Sequence, residues 1–116
     1  MSDPSLAIDV AQRAGAVVVA PRGDIDLNGS PMLKVELRRV GNASPPPERL
    51  VIDLSGVSYM DSSGLATLVE SLQLSKRNRY RLVICGLQPR VRAIFDIAKL
   101  GTVFTIVPTL DIALTV

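Results

Sequence analysis

Five short apolar segments, each about the length of a β-strand, are separated by turns or by stretches with helical periodicity. The predicted strands are Leu6–Val10, Ala16–Ala20, Val51–Leu54, Leu82–Cys85 and Val103–Val107. In the clearest helical stretch, the apolar residues between Leu65 and Leu72 recur at the i, i+3, i+4, i+7 spacing of one helix face. Short apolar strands that alternate with amphipathic helices favour an α/β fold in which most strands are parallel.

Prolines and capping residues mark the predicted boundaries. Helices are predicted to begin at Ser30-Pro31, Ser63, Pro89 and Thr109, and the first three to end near Gly41-Asn42, Asn78 and Gly101. Ser30 is the expected cap of the first helix, because Pro31 suits the first helical position. Pro21–Gly23 should end the second strand, Gln12–Gly15 should form a hairpin turn, and Ala43–Glu48 should be an extended loop. We therefore predict one domain over residues 1–116, with a mixed sheet of about five strands and about four helices packed against it. The strand order stays open.

The amino-acid composition limits the classes of function that this chain can have. Of the residues, 47% are hydrophobic, and the net charge is only +2, so we expect a packed core and no direct nucleic-acid partner. The one basic cluster, Lys76–Arg81, lies at a predicted helix end, where cations suit the helix dipole. The single cysteine, Cys85, is expected to be a buried thiol in a reducing compartment. With no apolar run of membrane-spanning length and no signal pattern, we expect a cytoplasmic protein.

The usual groups of an enzyme are missing from the sequence. The chain contains no histidine and has no nucleophile-elbow or phosphate-loop motif. Asp24 and Asp26 could pair as carboxylates, although aspartates after a strand are more often turn formers. We therefore expect no catalysis, no cofactor and no metal site.

The most informative motif is a strand, a loop and a helix start between Val51 and Leu65. It delivers Asp61-Ser62-Ser63-Gly64 where a helix exposes unpaired N–H groups and the positive end of its dipole. Such a site can hold a phosphate or accept one covalently. Taken alone, however, the same four residues are more typical of simple helix capping.

The surrounding residues resemble a known family. Asp53-Leu54 followed by Val57–Leu65 is similar to the signature of STAS domains of the bacterial anti-sigma factor antagonist type. Gly23–Asp26 resembles that family's element at the end of the second strand, and Val91–Phe95 with Leu100-Gly101 resembles its late helix and turn. The likeness runs from about Leu6 to Leu114. Departures are modest: Pro31, Ala66 where a second glycine is common, and the Pro45–Pro47 loop.

The resemblance implies that Ser62 is a phosphorylation site. A cognate anti-sigma factor, itself a serine kinase, would phosphorylate it, and a serine phosphatase would remove the group. The unphosphorylated form would bind the anti-sigma factor and so free a sigma factor for transcription. Phosphoserine would add about −1.5 to −2 charges beside Asp61, and beside Asp26 if the two loops meet.

Several residues around Ser62 are expected to contact the partner. The expected contact residues are Asp24, Asp26, Met60, Asp61, Ser63, Gly64 and Leu65. For Leu65 a core position is the alternative, and for Met60 burial under the loop. Ser63, inside the first turn, should be the less accessible hydroxyl. Two other functions stay open, a docking subunit of a lipid-transport ABC complex that is not phosphorylated, and a stress-signalling scaffold.

Overall fold

The computed structural model describes residues 6–116 and contains six strands and four helices. The strands are β1 (Leu6–Arg13), β2 (Ala16–Ile25), β3 (Arg49–Asp53), β4 (Tyr59–Met60), β5 (Arg81–Cys85) and β6 (Thr105–Val107). The helices are α1 (Ser30–Gly41), α2 (Ser62–Asn78), α3 (Pro89–Ile97) and α4 (Leu110–Ala113). The predicted α/β class and mixed sheet are confirmed. The expected domain start at residue 1 lies outside the described residues.

The main sheet has the order β1-β2-β3-β5-β6. β1 and β2 form an antiparallel hairpin, whereas β2–β3, β3–β5 and β5–β6 are parallel pairs. The short strand β4 lies apart from this order and pairs in parallel with the end of β2. Parallel strands carry their carboxyl ends to one edge of the sheet, so the loops after β2 and β3 emerge on the same side of the molecule.

Alternate strand residues pack on opposite faces of the sheet, as the period of a β-strand requires. One face buries the larger core against α1, α2 and α3, with Leu37, Leu68 and Phe95 among the residues that those helices contribute. The other face carries a smaller cluster that includes Val51 and Val83 and is covered by Ala113 of α4. The helical periodicity of the sequence therefore identified the core faces of α1 and α2 correctly, and on α3 it identified the buried Val91 and Phe95.

Near the site, one predicted boundary is wrong and one strand was not predicted. β2 does not end at Pro21–Gly23 but continues to Ile25. Pro21 lies opposite Ile8 in the hairpin. Proline has no N–H, and it fits here because Ile8 and Pro21 form one of the pairs that do not exchange hydrogen bonds across the hairpin. β4 was not predicted, since a two-residue strand has no periodic pattern to detect.

Helix boundaries also differ in detail. Ser30 is not the cap of α1, because Gly29 occupies the N-cap position without a side-chain hydrogen bond and Ser30 is buried in the first turn. α3 ends at Ile97, ahead of the predicted stop at Gly101. By contrast, Thr109 caps α4 as predicted, with its hydroxyl accepting from the N–H of Ile112 at 3.3 Å.

Candidate functional site

Two loops meet at the carboxyl end of the sheet because β4 pairs with the last residues of β2. In this pairing Asp24 lies opposite Tyr59 and Ile25 opposite Met60. The next residue, Asp61, continues the contact, since its N–H donates to the carbonyl of Ile25 at 3.1 Å. The segment after β2 is thus held beside the start of α2.

Asp61 is the N-cap of α2 and the centre of the hydrogen bonding at this site. Its carboxylate accepts from the backbone N–H groups of Ser63, at 2.9 Å, and Gly64, at 3.3 Å, and from the Ser63 hydroxyl, at 2.6 Å. The hydrogen bond from the Ser63 side chain is the main reason that the pKa of Asp61 is lowered, although partial burial opposes it. The backbone N–H groups of Gly64, Ser63 and Leu27 lower the pKa of Asp61 further. Asp61 is therefore held as an anion.

The two adjacent serines have different environments. Ser62, the first residue of α2, is exposed and its hydroxyl makes no hydrogen bond with the described residues. Ser63 is half-buried and its hydroxyl is held by Asp61. The prediction that Ser63 is the less accessible hydroxyl is confirmed, and Ser62 presents a free hydroxyl at the helix start.

Asp26 shapes the loop after β2. The Asp26 carboxylate accepts from the N–H groups of Asn28, at 2.9 Å, and Gly29, at 3.0 Å, and so closes the turn that leads into α1. This is the turn-forming role that the sequence left as the alternative. Asp24 and Asp26 are both half-buried.

Three of the expected contact residues are buried. Met60 has no exposed surface, Leu65 joins the core, and Gly64 is buried between β2 and β4. A Cβ at Gly64 would lie 2.7 Å from Cγ2 of Ile25 and 2.7 Å from Cγ of Met60. Met60 and Leu65 therefore occupy the buried positions that the sequence left open for them, and Gly64 lets the helix start pack closely against the sheet; partner contact by these three residues stays a prediction.

Exposed apolar residues near the site were missed by the sequence interpretation. Leu27, which follows β2, has 77% of its surface exposed, and Tyr59 of β4 has 45%. Met32, in the first turn of α1, is also exposed. Their only sequence signal was an apolar side chain beside turn residues, which does not distinguish a surface position from a core position. Leu27 lies near the start of α2, because its backbone N–H hydrogen-bonds the Asp61 carboxylate, and Tyr59 precedes that aspartate by two residues.

The described residues contain neither a metal-ligand group nor a membrane-spanning helix. Within residues 6–116, no group of three or more His, Cys, Asp or Glu side chains is arranged to hold a metal ion. Among the helices of that same range, none combines the length and apolar character needed to cross a membrane.

The strand order, the β4 pairing and the capped start of α2 define the class of protein. Residues 7–113 match the STAS domain, and the chain belongs to the STAS domain family. An anti-sigma-B factor antagonist of Bacillus subtilis (strain 168) is 31% identical over 99 residues, which cover 85% of this chain and 88% of the relative. An anti-sigma F factor antagonist of Paenibacillus polymyxa is 25% identical over 107 residues, which cover 92% of this chain and 88% of the relative.

Solved structures agree with this assignment. The crystal structure of an anti-sigma factor antagonist from Mycobacterium paratuberculosis has a TM-score of 0.87 and 31% sequence identity to this chain. The match covers 99% of this chain and 97% of the other. The resemblance inferred from the sequence motifs is confirmed at the level of family and fold.

Proposed function

We propose that this chain is an anti-sigma factor antagonist whose binding to an anti-sigma factor is switched by phosphorylation of Ser62. The observation that carries the proposal is the contrast between the two serines. Ser62 is exposed and its hydroxyl has no partner among the described residues, whereas the Ser63 hydroxyl is bonded to Asp61. A kinase therefore finds one accessible nucleophilic oxygen at the start of α2.

The local electrostatics favour a switch that acts on the surface and not on the fold. The N–H groups of Ser63 and Gly64 already donate to Asp61. A phosphate on Ser62 would add about −1.5 to −2 charges beside that carboxylate, with few free donors in the domain to neutralise it. The new charge would remain directed towards solvent, and towards any protein docked there.

The unphosphorylated surface suits close protein contact. Leu27 and Tyr59 are exposed apolar residues near the Asp61 cap that precedes the uncharged Ser62 hydroxyl. Tyrosine is among the residues that most often dominate the binding energy of protein interfaces, and exposed apolar area adds to the surface that a partner can bury. A bound partner would have to desolvate the phosphate against this apolar rim, so phosphorylation would weaken binding.

The relatives supply the identity of the partner class. The B. subtilis and P. polymyxa relatives are named antagonists of anti-sigma factors. The proposed partner is accordingly an anti-sigma factor with serine kinase activity, and a serine phosphatase would reset the switch. In this scheme the protein is not an enzyme and acts in the cytoplasm, where sigma factors and ATP are found.

Phosphorylation of the chain by a candidate anti-sigma kinase tests the proposal. The wild-type chain, Ser62→Ala and Ser63→Ala would be incubated with the kinase and ATP, and the peptide that contains residues 61–65 analysed by mass spectrometry. We expect one phosphate on the wild type and on Ser63→Ala, and none on Ser62→Ala. Phosphate on Ser63 alone would contradict the assignment.

Binding of the same kinase provides the second measurement. In a titration, Ser62→Ala should bind like the wild type, and Ser62→Asp should bind at least about tenfold more weakly, a loss of roughly 1.4 kcal/mol. Equal affinities of the two variants would refute the switch. Stable association with the ATPase of a lipid transporter, without phosphorylation, would favour the alternative docking function.

A further inference from the structure

Among residues 6–116, no strand pairs with the outer edge of β1. β1 spans eight residues at one end of the sheet order and pairs only with β2 among the described strands. It contains no proline. The opposite edge strand, β6, has only three residues and is followed at once by Pro108. Short strands and flanking prolines are common means of preventing edge pairing, and β1 has neither.

The hairpin geometry shows which backbone groups of β1 point outwards. Ala14 and Gly15 have positive φ values, +51° and +83°, and form the two-residue turn between Arg13 and Ala16. The residues that flank such a turn exchange both ladder hydrogen bonds, and bonded pairs then alternate along the hairpin. Arg13 is therefore bonded to β2, as are the residues two and four positions before it.

The remaining residues of β1 direct their N–H and C=O groups away from β2. Gln12, Val10 and Ile8 are in this class. The position of Pro21 agrees, because it lies opposite Ile8, where no N–H is needed. Val10, with 38% of its surface exposed, adds an apolar side chain to this edge.

A groove of about 410 Å³ lies between β1, the end of α1 and the proline loop. Its lining includes Val10, Gln12, Val40 and Pro45, and also Val17 of β2. The groove therefore lies over the face of the sheet that α1 covers, and α1 and the proline loop are not packed tightly over this part of β1.

We propose that two copies of this chain associate by antiparallel pairing of their β1 strands, with the two-fold axis at Ala11. In this register Asp9 of each copy lies directly opposite Arg13 of the other, and Val10 opposite Gln12. Both charged side chains are exposed. Asp9 already accepts from Arg22 of its own chain at 3.0 Å, so Arg13 of the other copy would be a second cation beside this carboxylate, and opposite charges facing each other across an antiparallel pair are stabilising. A register centred on Asp9 would instead place two carboxylates face to face.

The paired edges complete each other. The N–H and C=O groups of Val10 and Gln12 in each copy form two bonded pairs across the axis, which join the two sheets into one. The interface is isologous and closed, so it gives a dimer and not a filament.

The pairing leaves the candidate functional site free. Leu6, at the start of β1, contacts the α1 side of that site, since a Cβ at Gly29 would lie 3.2 Å from Cδ2 of Leu6. The paired residues 9–13 occupy the opposite end of the strand. Because the two strands are antiparallel, the two Ser62 sites face opposite ends of the dimer.

Sedimentation equilibrium of the full chain over a range of concentrations tests the proposal. We expect the mass to rise from that of one chain to that of two. Val10→Pro removes an outward N–H without removing a bond to β2, so it should fold normally and weaken the dimer at least about tenfold. Val10→Thr keeps the N–H and is the matched control, which should still dimerise. A single-chain mass at every concentration, or an unaffected dimer in Val10→Pro, would overturn the proposal.

Charge variants test the register without altering the backbone. Asp9→Arg and Arg13→Asp should each be monomeric alone, because each places like charges opposite one another. Mixed together, they should form a heterodimer in which every facing pair is again complementary. Failure of the mixture to associate would overturn the register.

Amide hydrogen exchange gives an independent readout. In the wild type, the N–H groups of Val10 and Gln12 should become slow to exchange as concentration rises, while those of Asp9 and Ala11 are slow at all concentrations. Protection of Val10 and Gln12 that does not depend on concentration would contradict self-association.

Discussion

The hydroxyl of Ser63 should contribute measurably to stability, whereas that of Ser62 should not. Ser63→Ala removes a 2.6 Å hydrogen bond to the Asp61 carboxylate. Hydrogen bonds to charged groups contribute about 1.5–3 kcal/mol. This site is only half-buried, so water can partly replace the bond, and alanine is the better helix former by up to about 0.5 kcal/mol. We therefore expect a net loss of about 1 kcal/mol.

Urea denaturation at pH 7 measures this loss. With a denaturant slope of about 2 kcal/mol per M, Ser63→Ala should lower the unfolding midpoint by about 0.5 M. Ser62→Ala is the matched control, because it makes the same chemical change one residue earlier at an exposed position. Its free energy of unfolding should stay within about 0.5 kcal/mol of the wild type.

The pH dependence provides a second criterion. The folded-state pKa of Asp61 is lowered, mainly by the Ser63 hydroxyl. Its stabilising contribution is thus present above the unfolded-state pKa and is lost as the pH falls through the lower folded-state value. The difference between wild type and Ser63→Ala should shrink with acidification over that range. Equal destabilisation by both alanine variants, or a difference independent of pH, would refute the reasoning.

Three further predictions concern packing. Gly64→Ala should lower the free energy of unfolding by about 1–3 kcal/mol despite the better helix propensity of alanine, because the new Cβ would meet Ile25 at 2.7 Å; an unchanged urea midpoint would contradict this. Burial raises the pKa of the Cys85 thiol to about 12, so Cys85 should not react with a thiol reagent at pH 8 unless the protein is unfolded. Rapid labelling of the native chain would contradict this prediction, because it would show that the thiol is accessible. Asn78→Ala removes a 2.7 Å hydrogen bond from the Asn78 side chain to the carbonyl of Gly41 and should lower the free energy of unfolding by about 1 kcal/mol. An unchanged melting temperature in calorimetry would contradict this prediction.

Local patterns predicted the helices and the core faces well. The spacing of apolar residues in α2 and the capping residue of α4 depend on neighbours within about one helical turn, so both could be inferred from sequence. The choice of Ser62 over Ser63 as the accessible hydroxyl also followed from position within the first turn. The sequence pattern did not show which apolar residues near the site are buried. Met60 and Leu27 are both apolar and lie next to turns, but in the structure only Met60 is covered.

The amino-acid order of this chain determined which segments become strands and helices, the STAS family to which they belong, and the residue at the start of α2 that carries a free hydroxyl. Tertiary structure decided the strand order, the extension of β2 to Ile25 and its pairing with β4, which brings Asp61 beside the segment after β2. The division has one physical cause. Helix periodicity and capping arise from contacts close along the chain, whereas the pairing of β2 with β3 and β4 joins residues more than thirty positions apart and depends on how the whole sheet packs.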